Sequence, residues 1–252
     1  MNKFKKYISQ KDPVELLISI FIVLYFLSVV LYNFKIFHFS WVALPYKWEN
    51  FTDRPWSLIT YSFFHAGFIS LIFNLILLFY FGEIFLSSYS SKKFWKVYFS
   101  GILLGGLAFL LSYAKLPGFY VQKGALLGAS AGIMAIITYI SLKQPNYPLR
   151  IRFLGYFKLK YIFIFFLVFN LLQIPLGNPG GYFAHLGGVL AGLIWFLKDK
   201  YMHKGKSFKN VLEEENTGTR YKLNRILEKI NTSGYESLTE EEKDFLFRQG
   251  KL

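Results

Sequence analysis

The sequence predicts an all-α, polytopic membrane protein: a bundle of six transmembrane helices with both termini in the cytoplasm. Three observations carry that expectation. The chain has 252 residues, of which 54% are hydrophobic and only 17% charged, too apolar for an ordinary soluble domain of this size. Its charges are clustered, and the windows between clusters are long enough for the roughly 20 apolar residues that a bilayer-crossing helix needs. Lysine and arginine are distributed unequally about those windows, in the way that sets orientation.

The elements follow in order. Span one runs from about Val14 to Tyr32, span two from Ser57 to Gly82, span three from Val97 to Tyr113 and span four from Gly124 to Leu142. Between Lys160 and Lys198 no residue carries a formal charge. That window is too long for one helix at 1.5 Å per residue. The breaker run "IPLGNPGG" divides it into span five, near 161–174, and span six, from Tyr182 to Leu197.

Fourteen basic residues fall on one side: Lys3, Lys5, Lys6, Lys11, Lys92, Lys93, Lys96, Lys143, Arg150, Arg152, Lys158, Lys160, Lys198 and Lys200. Five fall on the other: Lys35, Lys47, Arg54, Lys115 and Lys123. The richer side is the cytoplasmic one. The formal charge of +14 therefore reads as topology, not as nucleic-acid binding, because residues 1–200 carry +13 of it. The first apolar run is too long for a cleavable signal peptide.

The first outer loop, residues 33–55, mixes aromatic rings with scattered charge and is expected to lie on or within the outer leaflet. Residues 1–200 form the membrane domain. Residues 201–252 form a cytoplasmic tail of two short amphipathic helices, the second opened by a capping box of Thr239 and Glu242.

Chemistry is sought among polar groups inside the spans, which are costly there. Spans two, four and six all run inward from the outer face. They carry His65, Ser70 and Asn74, then Ser130, then His185. Ser130 lies six residues after Gly124 and His185 four after Gly181, so each is expected roughly 6–9 Å below its helix start. A hydroxyl and an imidazole at one depth in neighbouring helices could form a nucleophile–base pair. Gly128 with Gly132, and Gly188 with Gly192, are small pairs that would let helices approach closely. With no cysteine and no His pair at helical spacing, no metal site is indicated, and no cofactor motif occurs.

"GASAG" around Ser130, "AHLGG" around His185 and "RPWSLITYSFFHAGFISLIFN" leading to Asn74 resemble the rhomboid intramembrane serine proteases. The resemblance covers roughly residues 14–197, with three motifs in three correctly ordered spans. The tail segment "ILEKINTSGYESLTEEEKDFL" looks like an extension found on some bacterial rhomboids. The resemblance implies a dyad, with Ser130 as nucleophile and His185 as general base, and no acidic third member. It implies an oxyanion site of Asn74 and backbone N–H groups near Ser130, Ala131 among them. The family places a His where this chain has Ser70. Losing one oxyanion donor typically costs about 2.7–4 kcal/mol of barrier, so Ser70 lowers the expected activity.

Further departures are Ala131 where Gly is usual, Met134 where Tyr is usual, and Trp56-Ser57 in place of Trp-Arg. His65 matches a family His and is read as structural, bonding the first outer loop; His38 and His203 receive no functional reading. The implied activity is cleavage of single-span membrane proteins whose transmembrane segments are helix-weakened, in the inner membrane of a bacterium. The competing expectation, favoured by Ser70, is a non-catalytic rhomboid-like protein that binds membrane clients. A transporter or channel would show repeated motifs or midplane charge, and neither is present.

Overall fold

The computed structural model describes residues 12–115, 124–151, 155–172, 179–214 and 218–249. The chain divides into two compact units, Met1–Leu197 and Lys198–Leu252. The first is a helical membrane bundle. Helix α1 spans Pro13–Asn33, with the short α2 (Trp48–Thr52) and α3 (Ser57–Thr60) in the following loop. Then come α4 (Phe68–Ser88), α5 (Ser91–Lys115) and α6 (Ser130–Lys143). A two-stranded hairpin, β1 (Pro148–Ile151) and β2 (Gly155–Lys158), precedes α7 (Leu159–Leu171) and α8 (Pro179–Glu214). Stretches of α1, α4, α5 and α8 are long and apolar enough to cross a membrane. α6 and α7 are apolar but shorter, at 14 and 13 residues.

Several boundaries differ from the sequence expectation, each for a physical reason. Span two does not begin at Ser57. Phe64 and Gly67 are both extended, so the chain breaks between a 3-10 turn at Tyr61–Phe63 and the start of α4 at Phe68. The Ser57 and Ser62 hydroxyls bond carbonyls three residues back, at 2.6 and 2.8 Å, which is the local bonding that competes with a long helix. Span three begins six residues early, because Lys92, Lys93 and Lys96 are good helix formers rather than loop residues. Lys93 lies over the rings of Tyr89 and Tyr139, 5.3 and 4.8 Å from their centroids.

Span four begins at Ser130, not Gly124. Span five ends at Leu171, and its 13 residues reach only about 20 Å. Span six does not stop at Leu197: α8 is continuous to Glu214. The charge change at Lys198 is not a helix stop, and no Pro follows it in the helix. The β1–β2 hairpin, with Pro148 opposite Lys158 and Ile151 opposite Gly155, occupies what reads in sequence as a plain basic connection. Lys3, Lys5, Lys6, Lys11, Lys123, Arg152 and residues 174–178 of the "IPLGNPGG" turn lie outside the described residues.

Helix α6 is the core. All its residues from Ala131 to Ser141 are buried, so it is enclosed on every side. α5 and α8 reach it through small residues. A Cβ added at Gly101 of α5 would lie 2.6 Å from the Ala135 Cβ, and one at Gly105 would lie 2.5 Å from the Ala131 Cβ. A Cβ at Gly192 of α8 would lie 2.5 Å from the Ala135 carbonyl oxygen, and one at Gly188 would collide with the Ala131 carbonyl. Gly188 and Gly192 therefore do bring α8 against α6. Gly132 instead packs under the ring of Tyr98 of α5, and Gly128 lies in the loop before α6. Gly188 meets Ala131, Gly192 meets Ala135 and Thr138, and the second glycine pair is Gly101 and Gly105, which the motif reading passes over.

The second unit carries α9 (Gly218–Ser233) and α10 (Glu240–Gln249). Thr239 and Glu242 form the reciprocal capping bonds, with the Thr239 N–H donating to Glu242 Oε2 at 2.9 Å and the Glu242 N–H to Thr239 Oγ1 at 3.3 Å. Lys229 of α9 donates to the same carboxylate at 2.8 Å, and that bond holds Glu242 below the usual carboxylate range.

Replacing Gly188 by Ala forces the α6 and α8 backbones apart, and overpacking of this kind costs about 1–3 kcal/mol. The unfolding midpoint of the purified protein in detergent is expected to fall for Gly188→Ala. It is expected to stay unchanged for Gly124→Ala, where a Cβ meets nothing within 4 Å.

Candidate active site

The chain enters α6 through a segment that the first outer loop holds in place. Leu44 of that loop and Leu126 exchange backbone hydrogen bonds of 3.1 and 2.9 Å. The Gly128 N–H donates to the Tyr61 carbonyl at 2.9 Å, while the Tyr61 hydroxyl donates to the Ile102 carbonyl at 2.8 Å. The loop is itself braced: Trp56 Nε1–H donates to the Trp41 carbonyl and the Thr60 hydroxyl to the Val42 carbonyl, both at 2.9 Å, and Arg54 donates to the Ser40 carbonyl. Trp41, Trp48 and Trp56 stay about half exposed, as interfacial rings do.

Gly128 has φ of +121°, a conformation that side chains disfavour. It turns the chain so that Ala129 caps α6 and Ser130 is the first helical residue. The first N–H groups of any helix lack an intrahelical acceptor, and this end carries the positive pole of the helix dipole. Ala131, 1% exposed, therefore brings its backbone N–H to this first turn while its side chain packs inward.

Ser130 and His185 meet. His185 stands on the second turn of α8, and its Nε2 lies 2.7 Å from Ser130 Oγ. Its Nδ1 lies 2.5 Å from Asn170 Oδ1, on α7. A carbonyl oxygen has no proton to give, so this pairing puts the imidazole proton on Nδ1 and leaves Nε2 to accept from the serine hydroxyl. Ser130 and His185 are half-buried and open onto a cavity of about 800 Å³. Ser70, Asn74 and Asn170 line the same cavity, with Phe73, Met134, Phe165 and Phe169 among its apolar walls.

Asn74 is 6% exposed and donates one amide hydrogen to the Ser70 carbonyl one turn back, at 2.8 Å. Its Oδ1 has no partner among the described residues. Ser70 is exposed on the same helix face. Met134 follows Ser130 by one turn and is 4% exposed.

His65 departs from expectation. It is fully buried, but it makes no bond to the first outer loop: neither ring nitrogen has a partner among the described residues. Its ring instead packs edge-on against Phe21 of α1, 5.2 Å between centroids. Asn170 is the site residue that the sequence reading omits. The signal was present, since an amide in a 13-residue apolar helix is itself a costly group needing a partner. Among the described residues no cluster of His, Asp and Glu is arranged to hold a metal.

Comparison with known proteins bears on this geometry. Residues 52–200 match the Rhomboid domain. The chain is 23% identical over 202 residues to the rhomboid protease GlpG of Haemophilus influenzae, an alignment covering 79% of this chain and 97% of that one. It is 28% identical over 160 residues to the mitochondrial RHOMBOID-like protein 12 of Arabidopsis thaliana, covering 58% of this chain and 48% of that protein.

The positive φ at Gly128 yields a prediction at the entry to α6. Gly128→Ala strains the turn without meeting any atom within 4 Å, at a cost of about 1–3 kcal/mol. Its unfolding midpoint should fall although the substitution fills no occupied space, and an unchanged midpoint would remove the constraint assigned to this residue.

Proposed function

The chain belongs to the rhomboid family, and on that premise we propose that it is an intramembrane serine endopeptidase working through Ser130 and His185. The observation that carries the reading is the 2.7 Å contact between Ser130 Oγ and His185 Nε2 at the wall of a cavity. In this reading His185 takes the hydroxyl proton as Ser130 attacks the scissile carbonyl, then gives it to the leaving amine. Water later hydrolyses the acyl-enzyme by the same proton relay. The oxyanion is met by the free N–H groups of the first turn of α6, including that of Ala131, and by the second amide hydrogen of Asn74. The α6 dipole favours negative charge at that point.

The proposed topology has six spans, α6 and α7 included, with both termini in the cytoplasm of a bacterium and the cavity facing outward. The substrates are then membrane proteins with a single helix-weakened span, unwound enough for an extended stretch to reach Ser130. Ser70 favours a second reading, a non-catalytic rhomboid-like protein that binds membrane clients. A Ser hydroxyl is shorter than an imidazole and carries no positive charge, so the oxyanion site is weaker than the one the family resemblance implies.

A fluorophosphonate probe separates the two readings. Purified wild type in liposomes is expected to label, while Ser130→Ala abolishes labelling and His185→Ala nearly does. Labelling that persists in Ser130→Ala, or is absent from wild type, supports the client-binding alternative. Ser70→His is expected to raise the labelling rate, up to the 10²–10³-fold that one oxyanion donor contributes. An unchanged rate would show that Asn74 and the helix N–H groups already complete the oxyanion site.

A further inference from the structure

We infer that Asn170 is a positioning residue: its side-chain carbonyl holds the His185 imidazole in the tautomer and rotation that can accept the Ser130 proton. The inference rests on the protease reading above and deepens it. Asn170 is 3% exposed, on an apolar helix that otherwise offers its site face only rings such as Phe165, Phe166 and Phe169. A primary amide at that position must find partners to offset its desolvation. Its Oδ1 lies 2.5 Å from His185 Nδ1, on the ring edge opposite the nitrogen that faces Ser130. One bond therefore settles two things, which nitrogen carries the proton and which way the ring is turned.

Chemistry explains why an amide stands here. The orienting group of a charged triad is a carboxylate, which also stabilises the imidazolium. At membrane depth a carboxylate is a costly charge in the resting protein, held ionised only by pairing with a cation such as imidazolium. A neutral amide offers the same acceptor geometry with no charge to bury. It orients the imidazole and stabilises its cationic form only as a neutral acceptor, so its contribution is smaller than a carboxylate's. The bond also ties α7 to α8, so the short α7 is held to the site by the same group that sets the base.

The test uses full-length protein in liposomes and the rate of fluorophosphonate labelling as a function of pH. Asn170→Leu keeps the side-chain volume and removes the acceptor. It is expected to slow labelling by about threefold to tenfold, the worth of one hydrogen bond. Asn170→Asp keeps the acceptor and adds charge, which favours imidazolium. It should therefore retain labelling while the acid limb of the pH profile moves to higher pH, a change that loss of packing alone would not produce.

Wild-type labelling rates in Asn170→Leu, or an acid limb unmoved in Asn170→Asp, would overturn the inference while leaving the dyad intact. An unlabelled wild type would overturn the protease reading itself. Nitrogen NMR of His185 in unsubstituted protein gives a readout that depends neither on variant folding nor on activity. The proton is expected on Nδ1 in the neutral imidazole, and a proton on Nε2 overturns the inference.

Discussion

The close approach of α6 and α8 is the constraint on which the site depends. At Gly188 the backbone of α8 sits against the Ala131 carbonyl, one residue past Ser130, and at Gly192 it sits against Ala135. His185 precedes Gly188 by one turn on the same helix. The backbone contact therefore fixes the distance across which the imidazole reaches the hydroxyl. Between two apolar helices in lipid no hydrophobic force draws backbones together, so closeness must come from the absence of side chains at the contact. The third wall, α5, obeys the same rule through Gly101 and Gly105. Three helices converge on one stripe of small residues, and the polar pair sits at its end.

Beginning α6 at Ser130 has a structural cost, because residues 124–129 then carry non-helical backbone within the bundle. Such backbone is tolerated at membrane depth only where protein or a cavity satisfies it. Leu126 is satisfied by Leu44 and Gly128 by Tyr61. The aromatic first outer loop thus does two jobs. Its tryptophans stay about half exposed, while Ala43 and Leu44 are buried and Leu44 pairs with the segment leading to Ser130. In exchange, the first turn of α6 starts at the cavity, where Ser130 and Ile133 line the wall.

Much of this was legible in sequence. Hydropathy and the gaps between charge clusters located the apolar helices, and glycine spacing placed Gly188 and Gly192 on the α8 face that meets α6. The pairing of Ser130 with His185 was legible too, but by a route the structure replaces. Counting from Gly124 puts Ser130 two turns inside a helix, whereas α6 begins at Ser130 itself. The two side chains meet because a short buried helix starts deep, which composition does not reveal: "GALLGA" is as apolar as the helix after it. The break at residues 64–67 was hidden for the same reason, since one glycine among aromatics does not by itself announce two extended residues. His65 shows the converse limit. Its position was readable, but its surroundings were not: Phe21 of α1 packs against the ring, and neither nitrogen has a partner among the described residues.

The polar groups facing the cavity among the described residues are Ser70, Asn74, Ser130, Asn170 and His185, with no Asp, Glu, Lys or Arg beside them. A site without formal charge is the inexpensive way to keep polar chemistry at membrane depth. It also determines where help must come from when charge develops. A carboxylate triad member or a cationic oxyanion donor would stabilise the transition state directly, but each would be a buried charge in the resting protein. Here the resting site is held by neutral dipoles: two amides, a hydroxyl and the N–H groups at the start of α6. Preorganised dipoles need no reorganisation when the oxyanion forms. In the protease proposed above, that would shift the burden of catalysis from charge to geometry, and so onto the glycines that bring α8 to α6.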